Sequence, residues 1–234
     1  MTFEDSLKIR AHGSFFGRRK GHKLRAGRAG LVATLLPKLA LDLSRPAPAD
    51  LRTLFPGTRR DVALEIGFGG GENFAREAAA DPARGFVGCE PFVNGMASAL
   101  ALVEASGIAN VRLHHGDASE VLDWLPASSI ARVELLYPDP WPKKRHWKRR
   151  FISDESLSRL ARVLAKGGVF RFATDIAHYA EWTLVRALRS ADFEWTAECA
   201  DDWRKPWAGY GGTRYEAKAL REGRMPCYLV FRKK

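Results

Sequence analysis

The stretch Val62-Ala63-Leu64-Glu65-Ile66-Gly67-Phe68-Gly69-Gly70-Gly71-Glu72 decides the fold. Its first five residues are mostly apolar with β-branched ends, the pattern of a short strand buried on both faces, as in a parallel sheet. Glycine fills four of the next five positions. Glycines let the chain turn tightly and let a ligand approach the backbone. From Glu72 to residue 80 the spacing is helical, so the segment is a strand, a ligand-permissive corner and a helix. Working outward, the same alternation recurs. Strands are expected at 85–90, 110–115, 131–137 and 168–174, and helices at 92–105, 119–124, 154–165 and 177–190. Two later apolar segments, 193–199 and 225–232, can close the sheet. This alternation predicts an α/β fold with a doubly wound, seven-stranded, mainly parallel sheet. Right-handed crossovers then gather the strand carboxyl ends on one edge, where ligands bind.

Upstream, residues 1–28 are polar, glycine-punctuated and cationic, and read as a basic N-terminal arm. The apolar run 31–36 predicts a helix stopped near Pro37. Residues 44–57 hold Pro46, Pro48, Pro56 and Gly57 and read as a connector. The expected division is therefore arm, helix and connector over 1–57 and one α/β domain over 58–234, its folded core starting near Thr58.

The chain has 234 residues, 46% of them hydrophobic, enough for a sizeable core. No apolar run reaches bilayer-spanning length, and Glu4, Asp5 and Ser6 interrupt any signal core. A soluble, cytoplasmic protein without a membrane partner is expected. Cys89, Cys199 and Cys227 are scattered, which argues against a zinc site or a disulfide framework and suits structural thiols in or beside apolar strands. His114 and His115 alternate along a strand and point to opposite faces, so no metal is expected. Oligomeric state stays open between monomer and homodimer.

The net charge is +11. Its excess is concentrated. Arg10, Arg18, Arg19, Lys20, Lys23, Arg25 and Arg28 share one stretch without acids, and 143–150 holds six cations in eight positions. Elsewhere 25 cations face all 27 acids. Two localised basic segments fit a polyanionic partner, nucleic acid first.

The glycine corner by itself is a weak signal. A dinucleotide fingerprint wants Gly or Ala where Glu72 stands, and a carboxylate at a helix N-terminus repels a pyrophosphate there. The Lys-Ser/Thr ending of a phosphate loop is absent. The corner therefore suits a phosphate-free adenosine ligand. Glu90, ending the second strand, can accept from both ribose hydroxyls or cap a helix. Asp117, after the third strand, can reach an adenine amino group or cap the helix at 119–124. After the fourth strand comes Tyr137-Pro138-Asp139-Pro140-Trp141-Pro142, where prolines stiffen the backbone around Asp139. Trp141 offers a face to a purine or packs in the core.

Acids after strands one, two and three beside a glycine corner resemble the class I S-adenosylmethionine-dependent methyltransferases. The run Pro138-Asp-Pro-Trp-Pro-Lys-Lys-Arg-His-Trp-Lys-Arg-Arg150 is similar to the signature of the bacterial tRNA (guanine-N(7)-)-methyltransferase family. The segments 65–71, Ala173-Thr-Asp175, Thr213-Arg-Tyr-Glu216 and the arm Phe16-Gly-Arg-Arg-Lys-Gly also match it, in order along the chain. The resemblance implies S-adenosyl-L-methionine as cofactor, tRNA as partner, and N(7) of guanine 46 in the variable loop as acceptor. It implies cofactor contacts at Glu65, Gly67, Gly69, Glu90, Asp117 and Asp139, with Asp139 also catalytic. Substrate contacts are implied at Lys143, Asp175, Thr213, Arg214, Tyr215 and Glu216, and RNA contacts at Arg145, His146, Trp147, Lys148, Arg149 and Arg150. Three alternatives remain: a nicotinamide-dependent dehydrogenase, a methyltransferase acting elsewhere, and an inactive RNA-binding module on the same fold.

Overall fold

The computed structural model describes residues 16–234. The part of the expected arm before Phe16, Arg10 included, lies outside the described residues. Two helices open the described chain, α1 (Ala26–Thr34) and α2 (Leu36–Leu39). Strands β1 (Val62–Ile66), β2 (Gly85–Cys89), β3 (Val111–His114), β4 (Ile130–Leu136) and β5 (Leu164–Thr174) then alternate with helices. Those helices are α3 (Glu72–Ala80), α4 (Val93–Ala105), α5 (Ala118–Trp124), α6 (Asp154–Val163) and α7 (Ala177–Arg189). The chain ends with β6 (Phe193–Trp195), α8 (Asp201–Arg204), α9 (Arg214–Arg221) and β7 (Cys227–Lys233).

The seven strands form one sheet in the order β3-β2-β1-β4-β5-β7-β6. The first five are parallel, and β7 inserts antiparallel between β5 and β6. The predicted seven-stranded, doubly wound sheet is thus present. The winding reverses between β1 and β4, which is the switch point where such sheets bind ligands at their strand carboxyl ends.

Two expectations change. Pro37 does not stop a helix; α1 ends at Thr34, and Pro37 sits in the first turn of α2, where its missing N–H has no partner to lose. Packing also begins well before Thr58. Leu36, Leu41, Leu51 and Phe55 are buried, and the Leu41 N–H donates to the Leu113 carbonyl at 2.9 Å, extending the edge of β3. Apolar residues spaced between the prolines hold the connector on the core.

Side chains of β1 divide between two layers. Val62, Leu64 and Ile66 join the layer built with α5, α6 and α7. Ala63 joins the layer of α2, α3 and α4. Glu65 shares the face of Ala63 and is buried there. It stands in register with Glu134 on β4, which stands in register with Arg171 on β5. A polar row therefore crosses three central strands beneath α3. Among the described residues no helix is long and apolar enough to cross a membrane.

Candidate active site

A cavity of about 490 Å³ opens at the switch point, a size that suits a cofactor or drug-sized ligand. Its walls come from the ends of β1 (Ile66, Gly67), β2 (Cys89, Glu90) and β4 (Leu136, Tyr137), and from Asp117 after β3. The glycine corner forms one rim. Gly67 and Gly69 have φ of +68° and +57°, values that glycine adopts without strain. Gly71 has φ +81°, and a Cβ there would stand 2.4 Å from that of Ala99 on α4. Only glycine fits this crossing.

Glu90 locks the corner to β2. It accepts from the Gly69 N–H at 2.6 Å and from the Phe92 N–H at 2.9 Å. Burial pushes its carboxyl above the ordinary range, against those two hydrogen bonds. Asp117 caps α5, accepting from the Ser119 N–H and hydroxyl, both at 2.8 Å. Capping and a place on the cavity wall are compatible in this residue, since Oδ1 takes both bonds. Glu65 is not among the lining residues. Its Oε2 accepts from Asn73 Nδ2 at 2.9 Å, and the same amide donates to Glu134 at 3.2 Å. Burial, then the neighbouring Glu134 carboxylate, push the Glu65 carboxyl up to about 8. Glu134 in turn pairs with Arg171 at 3.0 Å and Arg132 at 3.2 Å. Asn73 passes the connection to Arg76, which donates to the Gly212 carbonyl at 3.2 Å. No sequence pattern marks Asn73, Arg76 or Arg171; an Asn on the buried face of α3, beside Phe74 and Ala78, is the one signal that could have found the network.

The loop after β4 sits across the cavity mouth. Tyr137 and Trp141 both have positive φ, 51° and 42°. Such backbone is strained for non-glycine residues and concentrates at functional sites. Between them Asp139 is exposed at the rim, and partial burial raises its carboxyl. Trp141 lines the cavity, edge-on to His146 and stacked under Arg149 at 5.0 Å.

The six-cation run is no open loop. Lys144–Arg149 forms a 3-10 helix with Lys143 as its N-cap. Lys143, Arg145 and Lys148 are exposed, and His146 and Trp147 are half-buried. Lys148, Arg149 and Arg150 reach the cavity wall. Arg150, implied as an RNA contact, is buried, 4% exposed, with Nε bonded to the Pro140 carbonyl at 2.8 Å. Its charge suggested a phosphate, whereas its neighbours are aromatic.

The segment Thr213–Glu216 begins α9 with a capping box. Thr213 Oγ1 accepts from the Glu216 N–H at 3.1 Å, and Glu216 accepts from the Thr213 N–H at 3.3 Å. Glu216 is buried and also accepts from the Tyr228 hydroxyl. This cap sends Arg214 and Tyr215 outward over the glycine corner. The Tyr215 ring lies 3.4 Å from where a Gly69 Cβ would be, and Arg214 approaches Glu72 at 3.9 Å. Asp175, at the end of β5, does not line the cavity; Arg224 holds it at 2.5 Å.

Residues 16–22 cross the remaining side. Phe16 and Arg18 line the cavity, and Arg149 stacks on Phe16 at 5.1 Å. Asn94 clamps the segment from α4: the Gly21 N–H donates to Asn94 Oδ1 at 2.9 Å, and Asn94 Nδ2 donates to the His22 carbonyl at 2.8 Å. Charge is the sequence signal here, and it gives no hint of this docking. Of the cysteines, Cys89 is buried in β2, while Cys199 is exposed because β6 stops at Trp195.

The strand order, the glycine corner and the acids after successive strands define a class I methyltransferase fold. A family model described as "Putative methyltransferase" matches residues 59–228. Solved structures agree in fold: the 16S rRNA methyltransferase KamB has a TM-score of 0.53 at 17% identity, over 81% of this chain and 95% of its own. SMU.1697c from Streptococcus mutans, solved in complex with SAH, has a TM-score of 0.50 at 11% identity, over 76% and 90%. Close relatives narrow the family. A tRNA (guanine-N(7)-)-methyltransferase of Rhodopseudomonas palustris (strain BisA53) is 59% identical over 96% of this chain and 90% of the relative. One from Rhizobium meliloti (strain 1021) is 58% identical over 96% and 97%. The chain belongs to the tRNA (guanine-N(7)-)-methyltransferase family.

Proposed function

We propose that this protein transfers a methyl group from S-adenosyl-L-methionine to N(7) of a guanine in tRNA, guanine 46 of the variable loop, in the cytoplasm. The observation that carries this reading is Asp139, held between two strained residues at the cavity mouth and flanked by an exposed cationic turn. The names of the relatives support the base and the polymer.

The residues present fit the cofactor. Each Glu90 oxygen accepts one N–H and has a second lone pair free for a ribose hydroxyl. Asp117, whose Oδ2 takes neither capping bond, suits the adenine amino group. Gly67 and Gly69 leave room for backbone approach, and Glu65 supports the corner from beneath through Asn73. When bound, the cofactor supplies an electrophilic methyl on a cationic sulfur.

Guanine N(7) has a free lone pair, so no residue needs to remove a proton before attack. The protein's task is alignment, with the reacting atoms about 3 Å apart. Asp139 faces the region where positive charge passes to the purine and stabilises it there. Arg214 and Tyr215 approach the base from above the corner, and Trp141 offers it a face. Thr213 and Glu216 hold α9 in place. Asp175 contributes by anchoring Arg224 beside α9. Lys143, Arg145, His146, Trp147, Lys148 and Arg149 receive the flanking backbone, with the exposed cations on phosphates.

The test is incubation with labelled cofactor and tRNA lacking the mark, followed by nuclease digestion. The expected product is 7-methylguanosine from the variable loop. A different methylated nucleoside refutes the acceptor assignment, and no incorporation refutes the activity.

A further inference from the structure

Arg150 closes a row of cations, and charge alone assigns it to RNA. Its surroundings say otherwise. The side chain is 4% exposed. Nε donates to the Pro140 carbonyl at 2.8 Å, and Nη1 donates to His178 Nδ1 at 3.1 Å. The guanidinium carbon lies 4.7 Å from the Tyr179 ring centre, 5.0 Å from Trp182 and 5.2 Å from Trp147. Among the described residues no carboxylate pairs with it. A buried cation needs compensation, and here carbonyl, imidazole and three π-faces provide it. Arg150 also lines the cavity, and a phosphate drawn to it there would compete with the carbonyl and imidazole that already hold its guanidinium.

What the cage holds is the loop after β4. Pro140 is the residue next to Asp139, inside the stretch bounded by the two strained residues Tyr137 and Trp141. Strained backbone persists only where its surroundings fix it. The fixing groups come from α7, which supplies His178, Tyr179 and Trp182. Trp182 Nε1 in turn donates to the Ile152 carbonyl at 2.8 Å, and Trp147 Nε1 to the Pro142 carbonyl at 3.4 Å. Trp147 also belongs to the cationic 3-10 turn, so the cage joins that turn to the loop.

We propose that Arg150 is a positioning residue that fastens the Pro138–Pro142 loop and thereby sets Asp139, and that it makes no RNA contact. This rests on the activity proposed above. A fork of five donors on a planar group suits two acceptors and three rings; the ammonium of lysine does not.

The test uses the full chain with Arg150→Ala, Arg150→Lys and Trp182→Leu, beside Arg145→Ala combined with Lys148→Ala as the exposed-cation control. Measured are kcat at saturating tRNA and cofactor, tRNA affinity against salt, and amide exchange at Tyr137 and His146, on either side of the loop, without tRNA. The Arg150 variants and Trp182→Leu are expected to lower kcat by about 10- to 100-fold, the range for a misplaced group of this kind. Their salt slope stays at the wild-type value, and exchange speeds up at Tyr137 and His146, whose N–H groups donate to the Ala173 and Lys143 carbonyls at 2.7 and 2.8 Å. The control variant flattens the salt slope and leaves exchange at the wild-type value. Added methylguanidinium is expected to restore part of the Arg150→Ala rate. If Arg150→Ala does not fold, Arg150→Lys and Trp182→Leu decide. A flattened salt slope with unchanged kcat overturns the proposal, as does unchanged exchange at Tyr137 and His146. The exchange readout needs no methyl transfer, so it separates failure of this inference from failure of the proposed activity.

Discussion

At the scale of single residues the account turns on Asp139. Its carboxyl is raised by partial burial, so the acid limb of the rate profile should sit above the ordinary aspartate range of about 3.9. Activity should rise with pH through that limb, because only the ionised form stabilises charge on the purine. Asp139→Ala is expected to lower kcat by about 10²- to 10³-fold, comparable to losing one electrostatic donor from other active sites, with tRNA affinity unchanged. Parallel loss of affinity and turnover would mean the residue is structural. Glu65 gives a separate prediction. Its folded pKa is raised, from 4.5 to about 8. The folded state therefore holds a proton that the unfolded chain loses earlier. The stabilising contribution is fully present below about 4.5, declines as pH rises and is gone by about 8. Glu65→Gln should flatten the stability profile across that window; parallel profiles for variant and wild type would contradict the raised Glu65 carboxyl. The acids after the strands are legible because each follows a recognisable apolar segment. A run of cations does not reveal the ring neighbours of Arg150, such as Tyr179 and Trp182, far along the chain. Asn73 and Arg76 leave no periodic trace at all.

At the scale of elements, strands β1 to β5 and helices α3 to α7 are readable from alternation, because buried parallel strands are continuous apolar runs. Short pieces are not. The turn Lys144–Arg149 reads as charge, and α8 and α9 are too brief for helical periodicity to register. The connector looks like linker by its prolines, yet Leu51 and Phe55 bury it. Nor does spacing reveal that 16–22 straps the cavity, since two of its backbone groups meet the Asn94 side chain on α4. Asn94→Ala removes those two bonds. Trypsin cleavage within 18–23 should accelerate while the core resists as before. An unchanged cleavage rate would show that Asn94 does not hold the strap.

At the scale of the whole molecule, the net charge is +11, and part of the cationic excess lies beside the cavity. The described arm residues Phe16 and Arg18 and the cationic turn meet at the same cavity. Binding to tRNA should therefore be strongly salt-dependent. Arg145→Ala combined with Lys148→Ala should reduce the slope of log affinity against log salt by roughly 0.7 to 0.9 for each phosphate that is no longer neutralised. An unchanged slope would place the RNA elsewhere. The most direct measurement is a crystal structure of this protein with S-adenosyl-L-methionine bound. The account predicts the ribose hydroxyls on Glu90 and the sulfonium methyl directed at the opening beside Asp139, between Trp141 and Tyr215. A methyl group pointing away from that opening, or a cofactor lying outside the glycine corner, would contradict it.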